Sequence, residues 1–333
     1  MKINFITNNP DDNAGSYRIW VRDLSRTFNE INVKSKIFTL DSLDKIDKDS
    51  SVIVLCKSAY KVCNHIKDMF PDTLIGAINI DCNYNNKNID FVIVGSIEEY
   101  TSMSYYKEVY IYPLIERKFE NIKIKSHTNK KDYFNICFHG HYPHLFKFEP
   151  FLKSAIERFN KEIKPVNLKI ITGNKDFNWK AGKPKVNIEM HDYSEDFVSI
   201  VQECDVGIVP NVTDVRLFVD NLQKQTSTEY GLYDTDFFLR MKNKTNAGRA
   251  YVLYQLGIPV IHDLSPSSFE LLCKTGYNIC AHDERSYFRE MKKLSSHELR
   301  NEVAIKNREI FDAYYNPADH ARKLIKKIKE TIK

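Results

Sequence analysis

The chain has 333 residues, 42% hydrophobic and 28% charged, with 19 Tyr and 20 Phe; that is apolar material enough for two domains with sizeable cores, and it excludes a disordered chain. The formal net charge of +5 is mild, and the basic residues form no single dominant block, which excludes a nucleic-acid binder with its basic stripe but suits a protein that handles anionic phosphates or rests on an anionic membrane surface. The seven cysteines form no Cys-x-x-Cys pair, the first apolar run is short for a signal peptide, and no apolar stretch is long enough to span a bilayer, so the expectation is a cytoplasmic protein with reduced thiols.

In chain order, residues 2–7 read as a strand that ends in the turn cluster Asn8-Asn9-Pro10-Asp11-Asp12. Gly15-Ser16 opens a helical pattern with Ile19, Val21, Leu24 and Phe28 on one face and Arg18, Arg22, Asp23 and Arg26 on the other. Strands follow at 33–38 and 51–55, a helix at 57–69 and a strand at 73–80. Strands at 91–94 and 109–112 flank a short helical segment at 97–103. Residues 113–132 are rich in Lys, Asn and Glu and read as a linker or a solvated helix. The alternation then restarts: a strand at 133–138, a loop His139-Gly140-His141-Tyr142-Pro143-His144, a helix at 151–159, strands at 168–172 and 186–190, a helix at 196–202 and a strand at 205–209. Residues 212–243 are polar and irregular, long for a loop. A helix at 247–256, a strand at 258–261, a helix at 267–275 ended by Gly276 and a short strand at 277–281 lead into a helical end, broken near Asn316-Pro317. Continuous apolar strands alternating with helices, twice over, predict two Rossmann-like α/β domains, each with a parallel sheet covered on both faces. The predicted divisions are 1–132, 133–315 and a last helix at 316–333. In such sheets ligands sit outside the carboxyl ends of the strands.

The sharpest constellation is Lys244-Thr245-Asn246-Ala247-Gly248-Arg249 at a predicted helix start. Thr245 or Asn246 is positioned to cap the helix, and the N–H groups and dipole of its first turn favour an anion. Lys244 and Arg249 add positive charge, Arg249 with a fork matched to phosphate oxygens. Gly248 allows close approach. Solvated cations at an exposed helix start give the same pattern. The three histidines 139, 141 and 144 lack the nearby carboxylate or Cys of a familiar metal set. They are read instead as candidates to bond a donor phosphate or leaving group, or as loop histidines satisfied by backbone. Asp234-Thr235-Asp236, in the long polar stretch, is read as coincidence.

Asp205-Val206-Gly207-Ile208-Val209-Pro210, the helix start at 244–249 and Gly257-Ile258-Pro259-Val260-Ile261 together resemble the donor-binding domain of GT-B-fold glycosyltransferases. In that family a strand of this kind ends at Pro, and a helix then presents its N-terminus to the donor phosphates. The resemblance extends to Gly15-Ser16-Tyr17-Arg18, similar to a Gly-rich loop after the first strand. It implies two Rossmann-like domains facing across a cleft, with the last helix crossing back to the N-terminal, acceptor-binding domain. That last helix, with Leu324, Ile325, Ile328 and Ile332 on one side of a basic stretch, is otherwise suited to anionic lipid.

One departure bears on the donor. Retaining members carry two Glu eight positions apart before the Gly-x-Pro strand, and here Lys244 and Val252 hold those places. The pattern resembles instead a Lys-x-Asn-x-x-Arg variant seen among capsule and lipopolysaccharide transferases. The resemblance thus implies transfer of a sugar from a nucleotide or other phosphate donor to a saccharide or lipid-linked saccharide, in surface glycan synthesis at the cytoplasmic membrane face. No cofactor or metal is implied, because Lys, Arg and helix N–H groups neutralise the donor. Expected catalytic residues are Lys244, Arg249, His141 and Asp12, the last as a base if the reaction inverts. Expected donor-phosphate contacts are Gly15, Ser16, Arg18, His139, Gly140, Thr245, Asn246, Ala247 and Gly248. A non-catalytic partner subunit and a sugar-nucleotide 2-epimerase of the same fold are the alternatives.

Overall fold

The computed structural model describes residues 1–12, 14–80, 84–129, 132–142, 144–145, 151–173, 179, 182–193, 196–210, 246–263 and 265–331. The polar stretch 212–243, with Asp234-Thr235-Asp236, and the candidates Lys244 and Thr245 lie outside the described residues. Among the described residues the chain divides into two compact units, one of Met1–Arg117, Asn246 and 315–331, the other of 118–210 and Ala247–Tyr314.

The first unit holds six parallel strands: β1 (Lys2–Thr7), β2 (Lys34–Thr39), β3 (Val52–Cys56), β4 (Leu74–Ile78), β5 (Phe91–Val94) and β6 (Val109–Ile111), in the order β2-β1-β3-β4-β5-β6. Helical residues 15–30, here α1, are π-helical over Arg18–Asp23. Then come α2 (Cys63–Met69) and α3 (Ile97–Ser102). The predicted single helix at 57–69 begins as a 3-10 turn over Lys57–Val62.

Side chains alternate between the two faces of a strand, and both faces are covered here, so the central runs of β3, β4 and β5 are apolar throughout. Ile3, Phe5, Val52 and Val54 face one side, under Trp20, Leu24 and Phe28 of α1. Ile6, Ile53 and Leu55 face the other, under Tyr60, Cys63 and Ile66.

The second unit holds β7 (Phe134–His139), β8 (Val166–Ile171), β9 (Asn187–His191), β10 (Val206–Val209) and β11 (Val260–His262), all parallel, in the order β11-β10-β7-β8-β9. Its helices among the described residues are α4 (Phe151–Glu162), α5 (Phe197–Gln202), α6 (Gly248–Leu256), α7 (Pro266–Thr275), α8 (Glu284–Lys293) and α9 (His297–Tyr314). Gly257 ends α6 with φ 74, the left-handed conformation glycine adopts without strain. The predicted strand at 277–281 makes only an isolated bridge, Cys280 to His262.

Residues 118–129, linker-like in composition, group with this second unit, and among the described residues the segment's one regular element is a 3-10 turn over Arg117–Phe119. Arg308 of α9 donates to the carbonyls of Glu120, Ile122 and Gln255, which fastens the stretch down. A buried ion pair lies behind β10: Arg300 Nη2 is 3.2 Å from Asp205 Oδ1, and both are almost fully covered. Asp205 also accepts the Asn135 N–H at 2.9 Å, and Arg300 Nε reaches His127 Nδ1 at 3.3 Å.

The helical end resolves into α8, α9 and α10 (Pro317–Thr331). Ala321, Leu324, Ile325 and Ile328 of α10 join the core of the first unit with Phe28 and Phe91. The last helix therefore crosses back, and Leu324, Ile325 and Ile328 of its apolar stripe are covered by protein. Among the described residues no helix is long and apolar enough to cross a membrane. Cys56, Cys63, Cys137 and Cys204 are buried free thiols, whereas Cys273 is exposed.

Candidate active site

Strand order locates the crevices. In the second sheet the chain runs from β7 outward through β8 and β9, then returns to β10 on the other side of β7. The connections diverge between β7 and β10, and outside their carboxyl ends an open α/β sheet binds its ligand. His139 is the last residue of β7, and Gly140 follows it. His139 Nε2 lies 3.1 Å from the Arg249 carbonyl oxygen, which can only accept, so Nε2 carries the proton. Burial pulls the His139 pKa down to about 4, against the opposing bond from that carbonyl, so the ring is neutral at pH 7.

Gly140 has φ +146, and a methyl group there would come within 3.1 Å of Arg249 Cδ. The strand end thus takes a conformation open to glycine and leaves room for the arginine stem. The Arg249 guanidinium carbon lies 5.6 Å from the centre of the Phe138 ring. Burial lowers the Arg249 pKa to about 10, opposed by Tyr193 and Tyr287, and the group remains a cation at pH 7. The helix turn therefore places one cation, Arg249, beside a strand end whose histidine is neutral.

The helix start differs from the sequence expectation. Ala247, not Thr245 or Asn246, holds the N-cap position of α6, and it makes no side-chain cap. Asn246 bonds through its side chain to Glu99, with which it groups in the first unit. Gly248 and Arg249 form the first turn of α6, where the helix dipole favours an anion. His141 is exposed, its ring 4.9 Å from that of Tyr142. Among the described residues no three His, Cys, Asp or Glu side chains gather as a metal-ligand set.

In the first sheet the connections diverge between β1 and β3. A cleft opens there, lined by Thr7, Ser16, Tyr17, Trp20, Lys57 and Asn79 among others. Lys57 and Asn79, just past β3 and β4, have φ of 49 and 54. Left-handed backbone at non-glycine residues costs energy and is concentrated at functional sites. Trp20 is buried, and its indole N–H has no hydrogen-bond partner among the described residues.

Arg18 is committed within the unit: Nε donates to the buried Glu116 carboxylate, and Nη1 donates to the Asp12 carbonyl at 2.7 Å. Asp12 is exposed and ion-paired with Arg22 at 2.9 Å. Gly15 and Ser16 open α1 beside these contacts, and of the two Ser16 reaches the cleft. Trp20, Asn79 and Glu99 went unmarked in the sequence, because each owes its place to the end of a strand or a helix face rather than to a motif.

No protein-family model matches the chain, and no curated protein matches it in sequence. Solved structures do match in shape. Sucrose-phosphate synthase from Thermosynechococcus elongatus superposes on 99% of this chain and 98% of its own, with a TM-score of 0.65 at 10% identity. HepE of Anabaena, solved in complex with UDP and glucose, covers 99% of this chain and 100% of its own, with a TM-score of 0.62 at 9% identity. The fold is GT-B. T4 phage β-glucosyltransferase shares it, covering 98% of this chain and 99% of its own, with a TM-score of 0.60 at 11% identity. In this GT-B chain Pro210 directly follows β10, and Gly257-Ile258-Pro259 leads from α6 into β11, the order of elements the sequence resemblance implied.

Proposed function

We propose that the protein is a glycosyltransferase that takes a sugar from a nucleoside-diphosphate donor. The observation that carries this reading is the Arg249 cation in the first turn of α6, beside Gly140 and neutral His139 at the switch point of a GT-B sheet. Similarity in fold to HepE, solved with UDP and glucose, supports a uridine nucleotide as the carrier.

In this reading the donor diphosphate lies against Gly248 and Arg249, with Lys244 contributing from the preceding segment. As the glycosidic bond breaks, negative charge grows on the leaving diphosphate, and fixed positive groups stabilise that charge more than the ground state. This electrostatic arrangement needs no metal ion, so turnover should survive EDTA. The acceptor, a saccharide or lipid-linked saccharide of surface glycan synthesis, occupies the cleft outside β1 and β3. Ser16, Tyr17 and Asn79 at its mouth offer hydrogen-bonding groups and one aromatic ring to a sugar. With the apolar stripe of α10 covered, Lys323, Lys326 and Lys327 leave a basic outer face for attraction to an anionic membrane.

The test is thermal shift and calorimetry with UDP-glucose, GDP-mannose, UDP and a free sugar phosphate. A nucleotide sugar or UDP should raise the melting temperature. Arg249→Ala should weaken that ligand about 10–100-fold, the range for losing one charge-assisted contact of about 1.5–3 kcal/mol. Binding that is unchanged in Arg249→Ala would remove the donor site from α6.

A further inference from the structure

A glycosyl transfer that inverts the anomeric carbon needs a group to take the acceptor proton, whereas a retaining one can leave the proton to the departing phosphate. The carboxylates of the first unit therefore carry information about the outcome. Asp12 is exposed and held by Arg22. Glu116 is held by Arg18, and Asp23 by Arg22. Glu98 is completely buried.

Glu99 differs from all of these. It lies in the first turn of α3, just past the carboxyl end of β5, and is partly exposed. Its Oε2 accepts the Gly95 N–H at 2.5 Å, and the Asn246 side chain also donates to its carboxylate. No lysine or arginine among the described residues pairs with it. Gly95 in turn lies against Trp20: a methyl group on it would come within 3.0 Å of the indole ring. The Glu99 carboxylate is thereby fixed on the same sheet edge as the cleft that Trp20, Ser16 and Asn79 line.

We propose that Glu99 is the catalytic base, and that the reaction inverts the configuration at the anomeric carbon. The acceptor oxygen forms its bond to that carbon as the bond from carbon to phosphate oxygen breaks. The bonding pair leaves with the nucleoside diphosphate, and the acceptor proton passes to Glu99 Oε1 or Oε2 and then to water. Two fixed donors orient the carboxylate without a cation that would hold it permanently charged. Burial raises its pKa to about 7, opposed by the Gly95 and Asn246 bonds and assisted by neighbouring Glu98, which suits a base working near neutral pH.

This assignment rests on the glycosyltransferase reading, so the experiment separates the two. The purified full chain is given UDP-glucose and GDP-mannose, with water and with simple alkyl glycosides as acceptors. Proton NMR reads the anomer released or transferred at early times. Inverted product, a Glu99→Gln variant whose kcat falls about 10²–10⁴-fold with donor binding retained, and loss of the rising pH limb near 7 in that variant are expected. Retained configuration from the unaltered protein, or undiminished kcat in Glu99→Gln, overturns the assignment of Glu99 alone. Absence of turnover with every donor and acceptor overturns the glycosyltransferase reading, and this assignment with it. The stereochemical readout needs no variant, so it stands even if Glu99→Gln does not fold.

Discussion

At the scale of single residues, a buried polar cluster braces the second unit beside its apolar core. Asp205 and Arg300 pair in a nearly waterless place, and Asp205 also satisfies the Asn135 N–H. Removing one member leaves the other charge stranded, which costs more than the pair contributes. Asp205→Ala should therefore destabilise the protein by about 3–5 kcal/mol. Asp205→Ala with Arg300→Met should cost less than the sum of the single changes. Urea melts over the four-protein cycle read both numbers, and additivity would show that the two charges do not depend on one another. In the sequence Asp205 marks the start of a strand ending at Pro210, while its partner lies 95 positions on, in a helix with no motif around it. The candidate site is legible to the same degree: Arg249, His139 and Gly140 stand out by residue type and spacing. Glu99 does not, because it acquires its character from burial and from two donors, one of which, Asn246, is far away in sequence.

At the scale of elements, the strands were readable because buried parallel strands must be apolar on both faces, as Val52–Cys56 and Val206–Val209 are. Boundaries shifted where side chains give no periodic signal. Residues 57–69 split into a 3-10 turn and α2, and the short run at 277–281 paired at one position only. Helix α10 presented an amphipathic pattern that fits either lipid or protein, and only the packing of Leu324 and Ile328 beside Phe28 decides between them. Leu324 is almost fully buried. Leu324→Ala should cost about 2–5 kcal/mol, as lost transfer energy plus an unfilled cavity, measured as a lower urea midpoint for the first unit. Lys326→Ala on the exposed face of the same helix should leave that midpoint nearly unchanged.

At the scale of the whole molecule, the two units should answer differently to acid. His127 and His139 are held near pKa 4 and His262 near 3, in each case chiefly by burial, and all three belong to the second unit. A histidine with a depressed folded pKa binds its proton more readily once unfolded. Its contribution is therefore complete above about pH 6.5 and is lost as pH falls through the folded value. Three such groups give a slope of up to about 4 kcal/mol per pH unit between pH 6 and 4. Stability of the second unit, followed by urea melts across that range, should fall steeply, and His262→Gln should flatten the curve. A flat profile in the unaltered protein would mean that the three rings are hydrated. The covering of the first sheet by α10 bears on how the chain is made. The last strand of that sheet ends at Ile111, but the side chain of Ile328 that seals its core is synthesised more than two hundred residues later. At roughly 5–20 residues per second the first unit waits roughly 10–40 s on the ribosome with Phe28 and Phe91 unsealed. The unit that is begun second is the one that can finish first.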